Sequence, residues 1–524
     1  MLQSIPRLAD YGISERHGFL PDELPLQVLP DPYYTHWEAI ISNLQAFLLS
    51  GRLRTTVQKL PILSTSRLRS ISEWRRAYLI LAFITHGYIW GGDIPADRIP
   101  PPIAVPFLQV CKYLELPPVA TYAGLCLWNF KPIFSNEEAD DFDNLATLTT
   151  FTGSMDESWF YLVSIVLEAR GAELLPVMLD AMHAVRNDDV STVFHALQLF
   201  AERIDELGTI LNKMYERCDP HVFYHSIRPF LAGSKNMADA GLPNGVLYED
   251  NSGNEEYRQY GGGSNAQSSL IQFFDIVLGV EHFPTGQDAL TANDTLLRGP
   301  SNNFIHEMRS YMPGPHARFL EALTPVANIR PYVLSKQENQ ELTLAYDAAL
   351  LMLKALRDKH IAMVSRYIIV KSREARDTRS RTADGMDRSV SPPTAVRSQA
   401  PVNLATATNR SSTSFRGTGG TSLIPFLKQA RDETGSLAVD AWARRLLSDR
   451  PTRNVKVAGS STIDESERKN SANAATTTPW RYTDNKPLVE LGKVGEHKDG
   501  VVEIVGLAGT WDLAEGEGGG ICHW

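Results

Sequence analysis

One histidine stands on the apolar face of a long predicted helix. In the stretch AALLMLKALRDKHIAMVSRYIIV, residues 348–370, steps of three and four join Leu353, Leu356, His360 and Tyr367, which is the spacing of a helix face turned toward a core. An imidazole in this position is either a core histidine satisfied by a hydrogen bond or a metal ligand, since histidine is the commonest metal ligand in proteins. The helix alone leaves both alternatives open.

An arginine beside aromatic residues is the second candidate. In FYHSIRPFLAG, Arg228 follows Phe223 and Tyr224 by about one helical turn. Such an arginine ordinarily lies along the surface with its charged end in water, but a guanidinium against an aromatic wall can also bind a carboxylate through two parallel hydrogen bonds. In the same segment, His221 and His225 have the i, i+4 spacing of a metal chelate. Prolines bracket this pair, and no third ligand is evident.

Two glycine-rich segments and one serine complete the candidates. YGGGSNAQSS, residues 260–269, lets backbone amides approach a ligand. It lacks GxxxxGK[ST] and follows no predicted strand, so a substrate-closing loop or an ordinary surface loop is favoured over a nucleotide site. GTGGT, residues 417–421, precedes a helix and predicts a flap with glycine hinges. Ser164 has no GxSxG turn around it and is explained as well by a bond to its own helix backbone.

Helical periods dominate the chain that must position these residues. Residues 155–370 hold long apolar stripes of helical spacing, residues 1–150 hold shorter ones between prolines, and strand-like alternation is scarce. The sequence therefore predicts a mainly α fold, and its 524 residues suffice for two or more domains. Residues 372–416 are rich in Arg, Ser, Thr and Pro and nearly devoid of large apolar side chains, which predicts a disordered insert. We expect residues 450–524 to form a flexible tail, and the sequence assigns them no role.

Composition and charge exclude several classes of protein. A net charge of −10 argues against nucleic acid or an anionic membrane as the main partner. The sequence shows no apolar run of about 18 residues and no N-terminal signal pattern. Its four cysteines are scattered without a CxxC pair, which argues against a thiolate zinc site and fits a reducing compartment. We therefore expect a cytoplasmic protein with no membrane and no nucleic-acid partner.

Eight segments, taken together and in order, carry a family resemblance. Spread over about residues 10–440, they are SERHGFLP, RIPPPIAVPFLQVCKYLELPPVATYAGLCLWNF, WFYLVSIVLEARGAELLPV, HVFYHSIRPFLAG, GGGSNAQSSLIQFFDIVLGVEH, MRSYMPGPHARFLEAL, YDAALLMLKALRDKHIAMVSRYII and GTGGTSLIPFLKQARDET. In these segments the chain resembles the indoleamine 2,3-dioxygenases, which open the indole ring of L-tryptophan with dioxygen. Each segment alone has little specificity, whereas the ordered set is specific.

The resemblance implies haem b as cofactor, with one iron per chain. It implies a small, mostly helical N-terminal domain (1–150) covering the distal side and a large all-helical haem-binding domain (151–371). A capping loop and the C-terminal helix of that domain (417–449) follow the insert. His360 corresponds to the proximal iron ligand, so the resemblance favours the metal-ligand alternative. Ferrous haem needs a neutral imidazole on one side, an open position for O2 on the other, and apolar walls.

The resemblance also assigns roles to other residues. Arg357, one turn before His360, is expected to reach a haem propionate. Asp275 corresponds to an acidic residue near the proximal side, where it either tunes the imidazole or forms an ion pair with Arg357. Arg228 is implied to pair with the substrate carboxylate. The positions implied to bind substrate are Tyr122, Phe160, Tyr161, Ser164, Phe223, Tyr224, Arg228, Ser264, Asn265 and Thr418.

Two of these positions depart from the family pattern. Tyr224 stands where phenylalanine is common, and Asn265 stands where a small residue such as alanine is common. Both are expected to add polar bulk near the substrate, and thereby to alter the turnover rate or the preferred indole.

The implied reaction inserts both atoms of O2 across the indole C2–C3 bond of L-tryptophan and gives N-formyl-L-kynurenine. This would begin the kynurenine route of tryptophan degradation and NAD biosynthesis. No general base is implied at the substrate, so the expected work of the protein is orientation, anchoring and exclusion of water. A haem protein that only carries or senses O2 would keep His360 but has no use for Arg228 and a capping loop, which favours the enzyme. We expect a monomer.

Overall fold

Helices make up most of the part of the chain that the structure describes. The computed structural model describes residues 3–137, 140–251, 253, 256–283, 304–374, 418, 423–447, 504–506 and 509–511. The mainly α fold predicted from the sequence is confirmed. Residues 375–416 of the predicted insert, and most of the predicted tail, lie outside the described residues, and residues 371–374 are helical.

The α-helices, numbered in chain order, are α1 (Thr35–Ile41), α2 (Leu44–Leu49), α3 (Leu53–Val57), α4 (Ile71–Trp90), α5 (Pro101–Leu114), α6 (Met155–Gly171), α7 (Leu174–Arg186), α8 (Val190–Asn212), α9 (Met214–Arg217), α10 (Pro220–Val222), α11 (Arg228–Leu231), α12 (Ser269–Leu278), α13 (Phe304–Arg309), α14 (Gly314–Leu323), α15 (Ile329–Ser335), α16 (Gln340–Val364), α17 (Leu423–Gly435) and α18 (Ala441–Leu447). In the described ranges, π-helical turns interrupt or extend them at Ala123–Leu127, Phe223–Ile227 and Ser365–Val370.

The strands are few and short. They are β1 (Arg98–Ile99), β2 (Phe130–Pro132), β3 (Leu145–Thr147), β4 (Val246–Tyr248), β5 (Tyr257–Arg258), β6 (Ile504–Gly506) and β7 (Gly509–Trp511). Strand β4 pairs parallel with β1 and antiparallel with β5, and β2 pairs antiparallel with β3. The sequence did not predict a strand before the glycine-rich loop, yet β5 ends just ahead of it, because two residues are too few to show alternation.

The chain forms two units. The described residues up to 447 belong to a compact unit, Met1–Pro451, and the hairpin of β6 and β7 belongs to the other, Thr452–Trp524. Within the first unit, the pairing of β1 with β4 joins the predicted N-terminal domain to the predicted large domain.

Helix α16 is the central helix of the predicted large domain. Asn339 begins it by accepting a hydrogen bond from the Leu342 N–H at 3.0 Å, which satisfies one of the free amides of the first turn. Its apolar face packs chiefly against α8 and α17, and Leu342, Tyr346 and Leu353 are fully buried. Because these side chains recur every three or four residues, the same face continues to His360 one turn from the helix end.

Helix α4 is the most deeply buried helix of the N-terminal half. Ser70 caps its first turn by accepting from the Glu73 N–H at 3.2 Å, and the helix ends at Trp90, directly before Gly91. It is apolar on nearly all sides, as expected for a helix enclosed by others. None of the helices in the described ranges is long and apolar enough to cross a membrane.

Candidate functional site

His360 faces a large cavity rather than the packed core. Met363, Val364 and Tyr367, which share its face of the chain, line the same cavity. The imidazole lies deep in the protein but remains partly accessible because the cavity is open in front of it. Burial, assisted by the nearby positive charge of Arg357, lowers the pKa of His360 to about 4. The ring is therefore neutral at physiological pH, and neither nitrogen has a hydrogen-bond partner among the described residues.

The empty space between the lining atoms, counted out to the open mouth of the cavity, is about 1170 Å³. Concave, mostly apolar sites of this kind are where proteins bind small molecules and cofactors. Its wall is mostly hydrocarbon. Besides the residues that the family resemblance singled out, the aliphatic and aromatic residues that line it are Leu125, Leu211, Met214, Leu231, Ala266, Phe304, Met363, Val364, Tyr367, Ile368, Leu423, Phe426 and Leu427.

An aromatic cluster forms one wall of the cavity. The Phe223 ring lies between Phe160, at 4.9 Å between ring centroids, and Tyr367, at 5.6 Å in an edge-on arrangement. Tyr367 is held in place because its hydroxyl donates to the Cys218 carbonyl at 2.5 Å. Rings fixed in this manner offer a flat planar ligand both faces and edges to pack against.

Arg228 supplies the charge of the cavity. It begins α11 directly after the π-helical turn Phe223–Ile227, a kind of turn often found at functional sites. Burial lowers the pKa of the guanidinium, and interaction with Tyr224 partly offsets that effect. The guanidinium still stays charged, and its carbon lies 5.5 Å from the centre of the Tyr224 ring. Among the described residues that line the cavity, Arg228 is the only one with a formal charge when His360 is neutral.

The glycine-rich loop closes the cavity beside Arg228. A Cβ atom on Gly262 would lie 2.1 Å from the Leu231 carbonyl oxygen at the end of α11, so only glycine permits this close approach. Thr418 binds the same loop twice: its carbonyl accepts from the Gly262 N–H at 3.0 Å, and its hydroxyl donates to the Gly263 carbonyl at 2.7 Å. Thr418, which belongs to the predicted flap, and the glycine-rich loop thus contact each other at the cavity wall.

Comparison with known proteins identifies the family. The family model of indoleamine 2,3-dioxygenase matches residues 7–437. The chain belongs to this family. It is 39% identical over 462 residues to the indoleamine 2,3-dioxygenase of Penicillium citrinum, with 87% of this chain and 94% of the relative covered. To the indoleamine 2,3-dioxygenase of Saccharomyces cerevisiae it is 40% identical over 446 residues, with 83% and 95% covered.

The relatives differ in the substrate that their names state. The 6-hydroxytryptophan 2,3-dioxygenase of Fusarium equiseti is 36% identical over 423 residues, with 81% of this chain and 96% of the relative covered. The resemblance predicted from eight sequence segments is confirmed, and the protein is a dioxygenase of the indoleamine 2,3-dioxygenase family.

The structure brings most of the residues matched to the family to this one cavity. Those that line it are Tyr122, Phe160, Tyr161, Ser164, Phe223, Arg228, Ser264, Asn265, Thr418 and His360. Tyr224 is fully buried beside Arg228 and does not itself line the cavity, and the expectation that it adds polar bulk near the substrate stays a prediction. Asn265 does line the cavity and is exposed. The His221 and His225 rings lie 4.4 Å apart, but no third metal-ligating side chain joins them within the described chain.

Asp275 and Arg357 form a buried ion pair away from the cavity lining. The Arg357 Nη2 lies 2.6 and 2.8 Å from the two Asp275 oxygens, and its Nη1 donates to Thr434. His282 lies 3.1 Å from Asp275 and 2.6 Å from Glu433. Of the two alternatives for Asp275, the structure contains the ion pair with Arg357. A propionate role for Arg357 would have to share the guanidinium with this pair.

The charges of this cluster support one another. Burial opposes the ionisation of Asp275, but the attraction of Arg357 and His282 outweighs burial and lowers the pKa of the carboxyl. Burial likewise opposes the charged form of His282, yet Asp275 and Glu433 raise its pKa. The cluster ties α12, α16 and α17 together, because its members come from these three helices or from residues close to their ends.

Sequence reasoning missed two buried carboxylates behind the cavity tyrosines. The Tyr161 hydroxyl donates to Glu157 at 2.9 Å, and the Tyr122 hydroxyl donates to Glu168 at 3.0 Å. Both carboxylates lie on α6, on the face that also holds Tyr161 and Ser164, because positions 157, 161, 164 and 168 follow one another by three or four residues. This polar stripe inside an apolar helix is the signal that could have revealed them.

The two carboxylates differ in their protein partners. Glu157 accepts four hydrogen bonds, two of them from backbone N–H groups. Glu168 accepts two, from Tyr122 and Ser268, both at Oε1. Its buried Oε2 has no partner among the described residues. Burial raises the pKa of Glu168 to about 7, against the opposing effect of its two donors. Glu168 is thus a buried acid that titrates near neutral pH.

The replacement Glu168→Gln should remove a pH dependence of stability. Between about pH 4.5, where the unfolded group titrates, and about pH 7, the folded protein holds a proton that the unfolded chain has lost. Wild-type stability therefore falls relative to the variant as pH rises through this window, by up to about 3 kcal/mol. Urea unfolding of both proteins at pH 5 and pH 8 measures the difference. Equal pH dependence in the two proteins would contradict the assignment.

Proposed function

We propose that the protein is a haem-dependent dioxygenase that opens the indole ring of L-tryptophan and gives N-formyl-L-kynurenine. The observation that carries this proposal is the neutral His360 imidazole, directed at a large apolar cavity whose one charged lining residue, among those described, is Arg228. A related indole amino acid is the alternative substrate, since a relative is named for 6-hydroxytryptophan. The proposal includes the further role of this reaction as the first step of the kynurenine route.

The donor set of the cavity suits haem b. An iron ligand must be an unprotonated nitrogen, and His360 satisfies this because burial and Arg357 disfavour its protonated form. The apolar lining suits the faces of a flat macrocycle. Haem, when bound, supplies the binding and activation of O2 that no side chain can provide.

The remaining cavity residues would orient and enclose the substrate. Phe223 and Phe160 offer ring surfaces for the indole, and Arg228 offers a bidentate partner for the amino-acid carboxylate. Ser264 and Thr418, on the closing segments, lie where they can contact the polar end of the substrate. Such anchoring converts binding energy into correct orientation, and the enclosing wall excludes water.

Haem-loaded protein tests the proposal directly. Addition of L-tryptophan to the ferrous protein should change its absorbance spectrum, and the change should saturate as the tryptophan concentration rises. Addition of O2 should then give the formylkynurenine product. A parallel assay with 6-hydroxytryptophan compares the two candidate substrates. Reversible O2 binding without product from either indole would instead favour an oxygen carrier or sensor of the same fold.

A further inference from the structure

His86 is a buried histidine that no part of the proposed reaction uses. It lies on α4, is 1% exposed, and does not line the cavity. Its Nδ1 lies 2.7 Å from the Phe230 carbonyl oxygen, and its Nε2 accepts a hydrogen bond from the Ala120 N–H at 2.8 Å. Because a carbonyl can only accept and an amide N–H can only donate, Nδ1 carries the proton and Nε2 the lone pair.

The ring is held in this single state by its surroundings. Burial lowers the pKa of His86 to about 4, although the hydrogen bond to Phe230 opposes that shift. Without its proton, Nδ1 would turn a lone pair toward the Phe230 carbonyl oxygen, and a proton on Nε2 would face the Ala120 N–H. Either change would leave a buried backbone group without its hydrogen bond, which is unfavourable. His86 therefore works as a fixed bridge with one donor end and one acceptor end.

The two ends of the bridge lead to two different segments of the cavity wall. Phe230 follows Arg228 by two residues in α11, and Ala120 precedes Tyr122 by two residues. Both Arg228 and Tyr122 line the cavity. The separation in sequence between His86 and Phe230 is 144 residues, so this contact aligns parts of the chain that no local structure aligns.

Neighbouring contacts strengthen the same junction. One turn further along α4, the Trp90 Nε1–H donates to the Ala232 carbonyl at 2.9 Å. The Phe230 ring stacks on Phe151 at 4.9 Å between centroids. Near the other end of the bridge, the Ala120 carbonyl lies 3.2 Å from the point that a Cβ on Gly263 would occupy, so this segment also abuts the closing loop.

We propose that His86 is a positioning residue, which fixes the Arg228 wall of the cavity relative to the Tyr122 wall by hydrogen-bonding the backbone of both. The proposal rests on the proposed function, in which Arg228 binds the substrate carboxylate. The alternative is a purely structural histidine, which stabilises the fold and does not affect substrate binding. The two differ in what is lost when the bridge is removed: substrate affinity through the carboxylate, or stability alone.

Three variants separate these alternatives. H86L has similar bulk and removes both hydrogen bonds, whereas H86Q offers an amide donor and a carbonyl acceptor that can replace both. Y346F is the matched control, since Tyr346 is fully buried, donates to the Leu278 carbonyl at 2.6 Å, and does not line the cavity. It therefore removes a buried side chain–backbone hydrogen bond without touching either wall.

Steady-state kinetics of the haem-loaded proteins give the first readout. H86L should raise the KM for L-tryptophan about tenfold, since small displacements of an anchoring group have large effects on productive binding, and should change kcat much less. The KM for tryptamine, which has no carboxylate, should change less than twofold. H86Q should restore the wild-type KM, and Y346F should lower thermal stability without raising the KM. If H86L and Y346F differ from wild type only in stability, or if H86Q behaves as H86L does, the positioning role is overturned.

Amide exchange gives a second readout that needs no substrate. In H86L, peptides that contain Ala120 and Phe230 should exchange hydrogen for deuterium faster than in wild type, whereas Y346F should leave both unchanged. Unchanged exchange in H86L would overturn the proposal.

If H86L does not accumulate as folded protein, H86N serves in both measurements, because its shorter side chain cannot span both partners. If the wild-type KM is the same for tryptophan and tryptamine while H86L exchanges faster in the peptides with Ala120 and Phe230, the proposed role of Arg228 is wrong. The role of His86 in holding the two segments is then still supported.

Discussion

The variant His360→Ala is expected to lose haem. The imidazole is neutral and directed into the cavity, whereas no other histidine in the described part of the chain lines the cavity. Removal of the only imidazole that lines the described cavity leaves apolar packing as the main attraction for the macrocycle. We expect the haem content per chain after reconstitution to fall more than about tenfold, since even the loss of a residue that merely supports a ligand costs ten- to a hundredfold in metal affinity. The measurement is the ratio of haem absorbance to protein in the reconstituted, desalted protein.

His316→Ala provides a matched control for this experiment. His316 is also buried, and burial lowers its pKa to about 3, so it too is a neutral interior histidine. It lies 3.3 Å from the Ser269 hydroxyl and does not line the cavity. This variant should lose stability but retain haem. Unchanged haem content and an unchanged spectrum in His360→Ala would remove His360 as the iron ligand.

Local sequence pattern sufficed to predict which residues share the His360 face of helix α16 and its π-helical extension. The three- and four-residue spacing in the stretch around His360 predicted that His360 and Tyr367 share a face, and both line the cavity. The π-helical turn Ser365–Val370 was not predicted, because side-chain periodicity changes too little over one turn to reveal it. The family resemblance predicted the lining residues from other segments of the chain. It could do so because it compares positions that no local rule connects.

Partners that are distant in sequence account for what could not be predicted. Glu168 lies on a visible polar stripe of α6, but its donors are 46 and 100 residues away, so its partners and its raised pKa follow only from the folded chain. His86 reads as one more residue of an apolar helix, and its bridge depends on two remote backbone groups. The same limit explains why the sequence left two alternatives for Asp275, of which the ion pair with Arg357 is present.

Arg228→Ala is expected to separate the dioxygenase from an oxygen carrier. A guanidinium in a mostly apolar cavity binds a carboxylate strongly, because little water competes with the pair. Removal of one partner of a buried pair costs about 3–5 kcal/mol, which corresponds to about two to four decades in affinity. The KM for L-tryptophan should rise by that amount, while haem content stays near normal, because His360 is untouched.

Tryptamine and a conservative variant make this expectation specific. Tryptamine has no carboxylate for Arg228 to bind, so its turnover should change much less in Arg228→Ala than that of tryptophan. Arg228→Lys keeps the charge but loses the planar fork, and its KM for tryptophan should fall between those of wild type and the alanine variant. The measurement is steady-state formation of the formylkynurenine product with both substrates. Equal losses for tryptophan and tryptamine would make Arg228 a structural residue, since the carboxylate would then contribute nothing to the effect of the substitution.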